Sequence, residues 1–572
     1  MSERLIEQPR VKGAILAALL VGMVVAAYGP ALSAGFIWDD DDYVTENPLL
    51  HAPDGFERIW LSMDAPSQYF PLVYTAFRIE YGLWGLDPFG YHLINVLLHA
   101  ANALLLWLLL RRLEIAGAWF AAAVFALHPV HVESVAWITE RKNVMSLFFS
   151  LLSLLAWMRF VEPRGKSAWR FFGLSLVWYA LALSSKVTAC TLPAAQVLLL
   201  WMRGHSIDRR RIAQIVPFVV LGVALGLVIT YWERYHIGTV GERFTIAPIE
   251  SFLVATRATW FYLGKLLWPT QLTFSYPRFE VDPSDPLQYV WALAGAILLV
   301  ALWCWRHAIG RAPLVAAIFF VATLSPLLGF IPLFTFWYTY VADHYQYMAS
   351  IGPIALLSAG ATQLLRDHTS LGKVSLGSAA GLVLVVLGLL VWNQSRVYEN
   401  EETLWRDTIA KNPTSWMAQT NLGRYMLREE RFEEAVEAYG QVFAIKPDAH
   451  RALVGRAGAL VKLGRERDAE ADFKAALELK PDLYTAHQAL GRLSWKRGAR
   501  AIAIAHYKEM IAIAPQNPAG HFLMGRALEA RRRPREALAH YRNALAVDPE
   551  HEDARRGLGR IEASLAKPNA ER

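Results

Sequence analysis

Apolar residues run in blocks of about twenty along the first two thirds of the chain, long enough to cross a bilayer. They fall at about 12–32, 91–110, 115–132, 143–160, 168–185, 187–203, 212–232, 287–305, 312–331, 346–365 and 374–393, which predicts eleven spans. Two further segments are apolar on one face only. In "FPLVYTAFRIEYGLWG" the aromatics recur at helical spacing around Arg78 and Glu80, which suits a helix lying on a membrane surface. "SFLVATRATWFYLGKLLW", 251–268, carries Arg257 and Lys265 and reads as interfacial or re-entrant.

Beyond Trp392 the pattern changes. Prolines stand at 413, 447, 481, 515 and 549, always 34 residues apart. Ala435, Ala469, Ala503 and Ala537 keep the same period. So do Tyr439, Phe473, Tyr507 and Tyr541, and Gly423, Gly491 and Gly525, with Ala457 in the second repeat. This is the tetratricopeptide period of paired helices, in which small residues allow close approach and the aromatic fills the gap. Four full repeats are expected at about 416–549, a half repeat at 400–413 and a polar capping helix at 550–566. The fold class is thus all-α: a polytopic helix bundle, residues 1–398, followed by an α-solenoid, residues 399–572.

Composition sharpens the division. Residues 1–398 hold 28 Lys/Arg and 25 Asp/Glu, and the remaining 174 hold 29 and 25. The 21 tryptophans suit membrane interfaces. The net charge of +7 is spread over both parts, and no basic stripe with interleaved aromatics points to nucleic acid. Arg531, Arg532, Arg533 and Arg535 form a dense basic run, read as a solvated helix end. Cys190 and Cys304 both lie in apolar runs, so a disulfide framework and a cysteine metal site are excluded.

Lys and Arg in short loops orient the spans. Arg4, Arg10 and Lys12, Arg111–Arg112, "RFVEPRGKSAWR", "RGHSIDRRR", "RHAIGR" and "RDHTSLGK" belong in the cytoplasm. The loops holding "DDDD", "HPVHVESVAW", "ERYHIGTVGERF", "FEVDPSDP" and "WYTYVADHYQY" then share the outer side with the repeats. The first span is expected to remain in place as an anchor, since no small-residue cleavage site follows it.

Candidate chemistry lies in these outer loops. Asp39 and Asp40 follow Trp38 at the first membrane exit, where partial desolvation raises a carboxyl pKa and makes a better general base. Metal binding is the other reading. His128, His131 and Glu133, spaced three and two apart, offer metal ligands or a turn of satisfied histidines, and Arg141 and Lys142 offer a phosphate site or snorkelling cations. His92, Asn95 and His99 share one helix face, facing a cavity or tying the bundle. Lys186, His344 and Tyr345 add a cation and aromatics to the same side.

The pieces "FIWDDDDYVTEN", "GYHLINVLLHAANALLL", "HPVHVESVAWITERKN", "DHYQYMASIG" and "NEETLWRDTIAKNP" together resemble one family. It is that of the transmembrane and tetratricopeptide-repeat O-mannosyltransferases and their bacterial relatives, integral-membrane glycosyltransferases of the C type (GT-C). The resemblance implies that Asp39 and Asp40 act on the acceptor and that Glu133 is the acid of the second outer loop. It implies that Arg141 is the family's arginine after the His-Pro segment. One departure is "QYFPLVY": several members have Arg where this chain has Phe70.

The expected reaction is sugar transfer from a polyprenyl-phosphate carrier to a Ser/Thr hydroxyl. Arg141, Lys186 and Arg243 are expected to meet the leaving phosphate, with a divalent metal (candidates Asp40, His131 and Glu133) assisting or replacing them. His92, Asn95, His128, His131, His344 and Tyr345 complete the candidate substrate site. The repeats are expected to bind the acceptor peptide or protein. Ala- and Arg-rich usage points to a bacterial inner membrane, with the N-terminus cytoplasmic and the repeats periplasmic. A non-catalytic scaffold anchored by the bundle, or transfer to a lipid or glycan, are the competing readings.

Overall fold

A computed structural model describes residues 9–62, 68–162, 168–237, 246–331, 333–366 and 370–566. Among them every regular element is helical, as the apolar blocks and the 34-residue period require. The chain forms two compact units, Met1–Pro413 and Thr414–Arg572.

In the first unit, five helices are long and apolar enough to span a bilayer: Pro88–Arg112, Ile138–Val161, Arg209–His236, Pro286–Trp305 and Gly377–Val397. The pair Ala118–Ala126 and Pro129–Ala136, bent by 53°, makes a sixth if taken as one span. Val11–Ala27, Val187–Met202, Ala312–Leu327 and Ile351–Leu364 are shorter apolar helices. Eleven spans are therefore more than length and apolarity support among the described residues. The block 168–185 forms a helix, Ala168–Ser185, and 251–268 falls on Pro248–Leu267; neither meets both criteria. Pro286–Trp305 has no buried residue in its apolar window, and Leu293, Ile297 and Val300 stand exposed along it, as lipid-facing side chains do.

The segment after the first apolar helix folds over the helix ends. Its short helix Gly55–Leu61 and the helix Pro71–Trp84 bury Ile59, Val73, Tyr74 and Phe77 in one cluster with Tyr43, Leu49, Tyr91 and Ile138. The exposed Ile79 and Leu83 give the longer helix the second apolar face that the sequence pattern predicts for a membrane-surface helix. Arg78 ties it down by donating to the carbonyls of Leu49 (2.5 Å) and Ala52 (2.8 Å). This packing fixes the floor on which the four aspartates sit.

The half repeat at 400–413 lies in the first unit. Its helix, Glu401–Lys411, opens on an Asn400 cap and buries Leu404, Trp405 and Thr408. Lys411 Nζ donates to the Leu272 carbonyl (2.7 Å), and Asn412 Nδ2 to that of Ser275 (2.9 Å).

The second unit is the solenoid. Helix pairs run Trp416–Arg428 with Phe432–Ile445, His450–Lys462 with Glu466–Leu479, Tyr484–Lys496 with Arg500–Ile513, and Pro518–Ala530 with Pro534–Val547, followed by Glu552–Ala566. The periodic alanines Ala435, Ala469, Ala503 and Ala537 are fully buried. The periodic aromatics press on the periodic glycines: a Cβ on Gly525 would lie 2.9 Å from the Tyr541 ring, closer than side chains tolerate.

Candidate active site

The acid turn is built from the backbone outward. Trp38 has φ of 48°, a left-handed conformation rare for a bulky residue and costing about 1–3 kcal/mol. Rings hold it there. Trp38 stacks on Trp137 (5.4 Å between centroids) and meets Phe274 (5.1 Å) and Trp405 (6.0 Å) edge-on. The chain then coils through Asp41–Thr45, with the Tyr43 amide donating to the Asp39 carbonyl (3.1 Å).

The first two aspartates have different surroundings. Asp40 is fully buried, and one of its oxygens accepts from both the amide (2.9 Å) and the hydroxyl (2.6 Å) of Thr139. Its other oxygen accepts from the Ile37 amide (2.9 Å). Burial outweighs these three donors and pushes its pKa up to about 7. Asp39 is only half-buried, and its charge reaches Lys142. Asp40 therefore anchors the turn, and Asp39 is the more exposed of the two acids.

Around the turn lies a network of buried charge. Lys142 Nζ is 2.8 Å from Glu140 and lies over the rings of Tyr43, Phe70 and Trp137 at 5.4–5.7 Å. Lys186 Nζ is 3.4 Å from the same Glu140 and donates to Asn143 Oδ1 (2.8 Å). The Asn143 amide donates to Glu140 and to the His344 carbonyl. The His344 amide donates to Glu133 (2.9 Å), and its Nδ1 lies 3.1 Å from the same carboxylate. Beside it, burial and the Glu133 charge raise the Asp343 pKa well above the carboxylate range, and Asp343 accepts from the Tyr276 hydroxyl (3.0 Å). Glu133, Lys186 and His344 thus belong to one network, and the Tyr345 ring meets that of His344 edge-on at 4.5 Å.

Other candidates face inward. Arg141 is fully buried: Nε donates to Asn95, Nη1 pairs with Glu80 and Nη2 donates to the Tyr91 carbonyl (2.7 Å). Three of its five N–H donors are engaged, and from this fully buried position it braces the helices. His99 bonds Tyr347 Oη (2.6 Å) and the Ala126 carbonyl (3.0 Å). His128 bonds the Leu266 carbonyl (3.0 Å), and His131 the Phe125 carbonyl (2.8 Å) and Ser350 Oγ (2.9 Å). His92 reaches the Gly35 carbonyl (3.4 Å). Of the alternatives for these residues, tying the bundle is the one their contacts favour. Arg243 lies outside the described residues.

The metal candidates Asp40, His131 and Glu133 engage separate partners. Among the described residues no three His, Cys, Asp or Glu side chains gather closely enough to ligate an ion. The residues present do not make a metal centre.

A small cavity adjoins the network, lined by Asn143, Ser146, Thr188, Tyr345, Tyr347 and Met348 among others. Met348 also lines a slot of about 130 Å³, walled by Leu147, Leu154, Leu198, Phe319, Ala355 and other apolar residues, with Ser150 its one polar side chain. Sequence reading missed Glu140, Thr139 and the slot. Glu140 resembles any acid at a helix start, and only the fold shows two lysines closing on it.

Comparison with known proteins places this geometry. The family described as dolichyl-phosphate-mannose-protein mannosyltransferase matches residues 66–232, and the tetratricopeptide repeat matches 420–484, 454–518 and 522–567. Protein O-mannosyl-transferase tmtc2 of Xenopus laevis is 27% identical over 72% of this chain and 60% of its own length. TMTC3 of Mus musculus is 25% identical over 80% and 54%, and TMTC2 of Homo sapiens 30% identical over 50% and 36%. The chain is thus similar, over most of its length, to the transmembrane and tetratricopeptide-repeat O-mannosyltransferases, and it spans between about a third and three fifths of the length of these relatives.

Proposed function

We propose that the chain is a membrane glycosyltransferase of the GT-C type that moves a sugar from a polyprenyl-phosphate carrier to a Ser/Thr hydroxyl of a protein. The observation that carries the reading is the adjacency of three features. A half-buried carboxylate, Asp39, stands beside a lysine pair around Glu140, and the Asn143 cavity beside that pair abuts an apolar slot at Met348. Each meets one part of the reactants: an acceptor hydroxyl, a phosphate and a hydrocarbon tail.

Asp39 takes the proton of the acceptor hydroxyl as its oxygen bonds to the anomeric carbon. The bond from that carbon to the phosphate oxygen breaks through an oxocarbenium-like state, and the electron pair leaves with the polyprenyl phosphate. Lys142 and Lys186 neutralise the charge that grows there, Lys186 as the sequence expects and Lys142 in the part expected of Arg141. Both are pre-paired with Glu140, so each lysine exchanges one anionic partner for another. The carrier tail lies in the slot. The repeats recruit the acceptor, which names in the matching relatives support: each is called a protein O-mannosyl-transferase. Ala- and Arg-rich usage supports a bacterial inner membrane as the setting, and the loop charges favour periplasmic repeats.

The test is transfer from a labelled polyprenyl-phosphate sugar by the purified full-length protein. Loss of transfer in Asp39→Asn, with the thermal midpoint kept, supports the reading. Equal transfer by wild type and Asp39→Asn contradicts it.

A further inference from the structure

Helix Glu401–Lys411 has the sequence of a half repeat, yet its best-buried face is spent on the acid turn. Trp405 is wholly buried; its ring meets Trp38 edge-on at 6.0 Å and Phe274 at 5.4 Å. Phe274 in turn meets Trp38 and Trp137, so three rings close around the one strained residue that precedes Asp39. The chain is pinned on both sides of Trp405. Before it, the Gly35 amide donates to the Glu399 carbonyl (3.0 Å). After it, Lys411 and Asn412 bond the carbonyls of Leu272 and Ser275, which flank Phe274.

We infer that Trp405 is a positioning residue for Asp39: it confines Trp38 to its left-handed turn and so sets where the acid points. A residue in a disfavoured backbone region persists only while its surroundings over-determine it. Remove the Trp405 ring, and Trp38 has room to relax toward an ordinary φ. The peptide linking it to Asp39 rotates with it, while Asp40 stays anchored through Thr139. The helix that the 34-residue pattern assigns to acceptor binding thereby serves the chemistry. This rests on Asp39 being the acceptor-side base.

The experiment uses full-length protein in detergent and the variants Trp405→Ala, Trp405→Leu and Trp405→Phe. A misplacement of about 1 Å costs roughly 100-fold in rate, so kcat should fall about 100-fold in Trp405→Ala with the donor KM unchanged. Trp405→Phe should recover most of that loss. A second readout needs no substrate: alkylation of Asp39→Cys, followed by peptide mass at position 39, should change severalfold in rate when Trp405→Ala or Trp405→Leu is added. The leucine variant serves if the alanine variant does not fold. Wild-type kcat in the Trp405 variants, together with an unchanged alkylation rate, overturns the inference. If Asp39→Asn itself leaves transfer intact, the functional reading fails, and the alkylation rates alone decide whether Trp405 holds the turn.

Discussion

Thr139 gives two hydrogen bonds to one oxygen of Asp40, from its amide at 2.9 Å and its hydroxyl at 2.6 Å, across 99 residues of sequence. That contact binds the first outer loop to the start of the helix carrying Lys142. It divides the labour of two adjacent aspartates that look alike in sequence.

Asp39→Asn should lower transfer by about 100- to 10,000-fold, the usual worth of a general base, with little change in thermal midpoint. Asp40→Asn should behave differently. Its amide would turn one donor towards the donors of Thr139 or Ile37, costing about 1–3 kcal/mol of stability. Thermal denaturation of the two variants, alongside activity, separates the roles.

The buried Asp40 also gives stability a pH dependence. Its pKa is raised from 3.8 to about 7 on folding, so the folded protein holds the proton more tightly than the unfolded chain. The resulting stability is full below about pH 4 and is lost as pH rises through about 7. Its size is on the order of 4 kcal/mol at most. Denaturation midpoints between pH 5 and 8 should slope downward, and the slope should flatten in Asp40→Asn.

Arg141 and Glu80 form a buried pair, so removing one partner strands the other. Arg141→Ala should destabilise by about 3–5 kcal/mol. The double variant Arg141→Met with Glu80→Leu should be closer to wild type than either single change. A phosphate-binding Arg141 would instead show normal stability and a raised donor KM, so the two measurements together discriminate.

Ala355 and Leu154 line the apolar slot. Ala355→Trp should fill part of it and raise KM at least about tenfold for a long-chain polyprenyl donor, as a bulky ring displaces several methylenes worth about 0.8 kcal/mol each. A donor with a short tail should lose little. Equal effects on both donors would show that the slot does not hold the carrier.

Much of this was legible before any coordinates. The proline period announced the solenoid, since each repeat must bury the same face against its neighbours. Asp39, Glu133, Lys186 and His344 stand out in the sequence as candidates because polar groups beside long apolar runs are costly. Other parts were hidden. The Arg141–Glu80 pair joins positions 61 apart, and no local pattern encodes it. The histidines of "GYHLINVLLHAANALLL" could face a cavity or tie the bundle, and those of "HPVHVESVAW" suit a satisfied turn better than metal ligands; their carbonyl partners are what the fold adds. The segment 400–413 follows the repeat pattern because packing of an amphipathic helix demands it, whichever surface it packs on.

The most direct measurement is mass spectrometry of a Ser/Thr-containing acceptor protein after incubation with the purified chain and a labelled polyprenyl-phosphate sugar. The account predicts one or more labelled hydroxyls with the wild type and none with Asp39→Asn at matched thermal stability. Labelling that is absent from the wild type across polyprenyl-phosphate sugars, or that survives in Asp39→Asn, would contradict it.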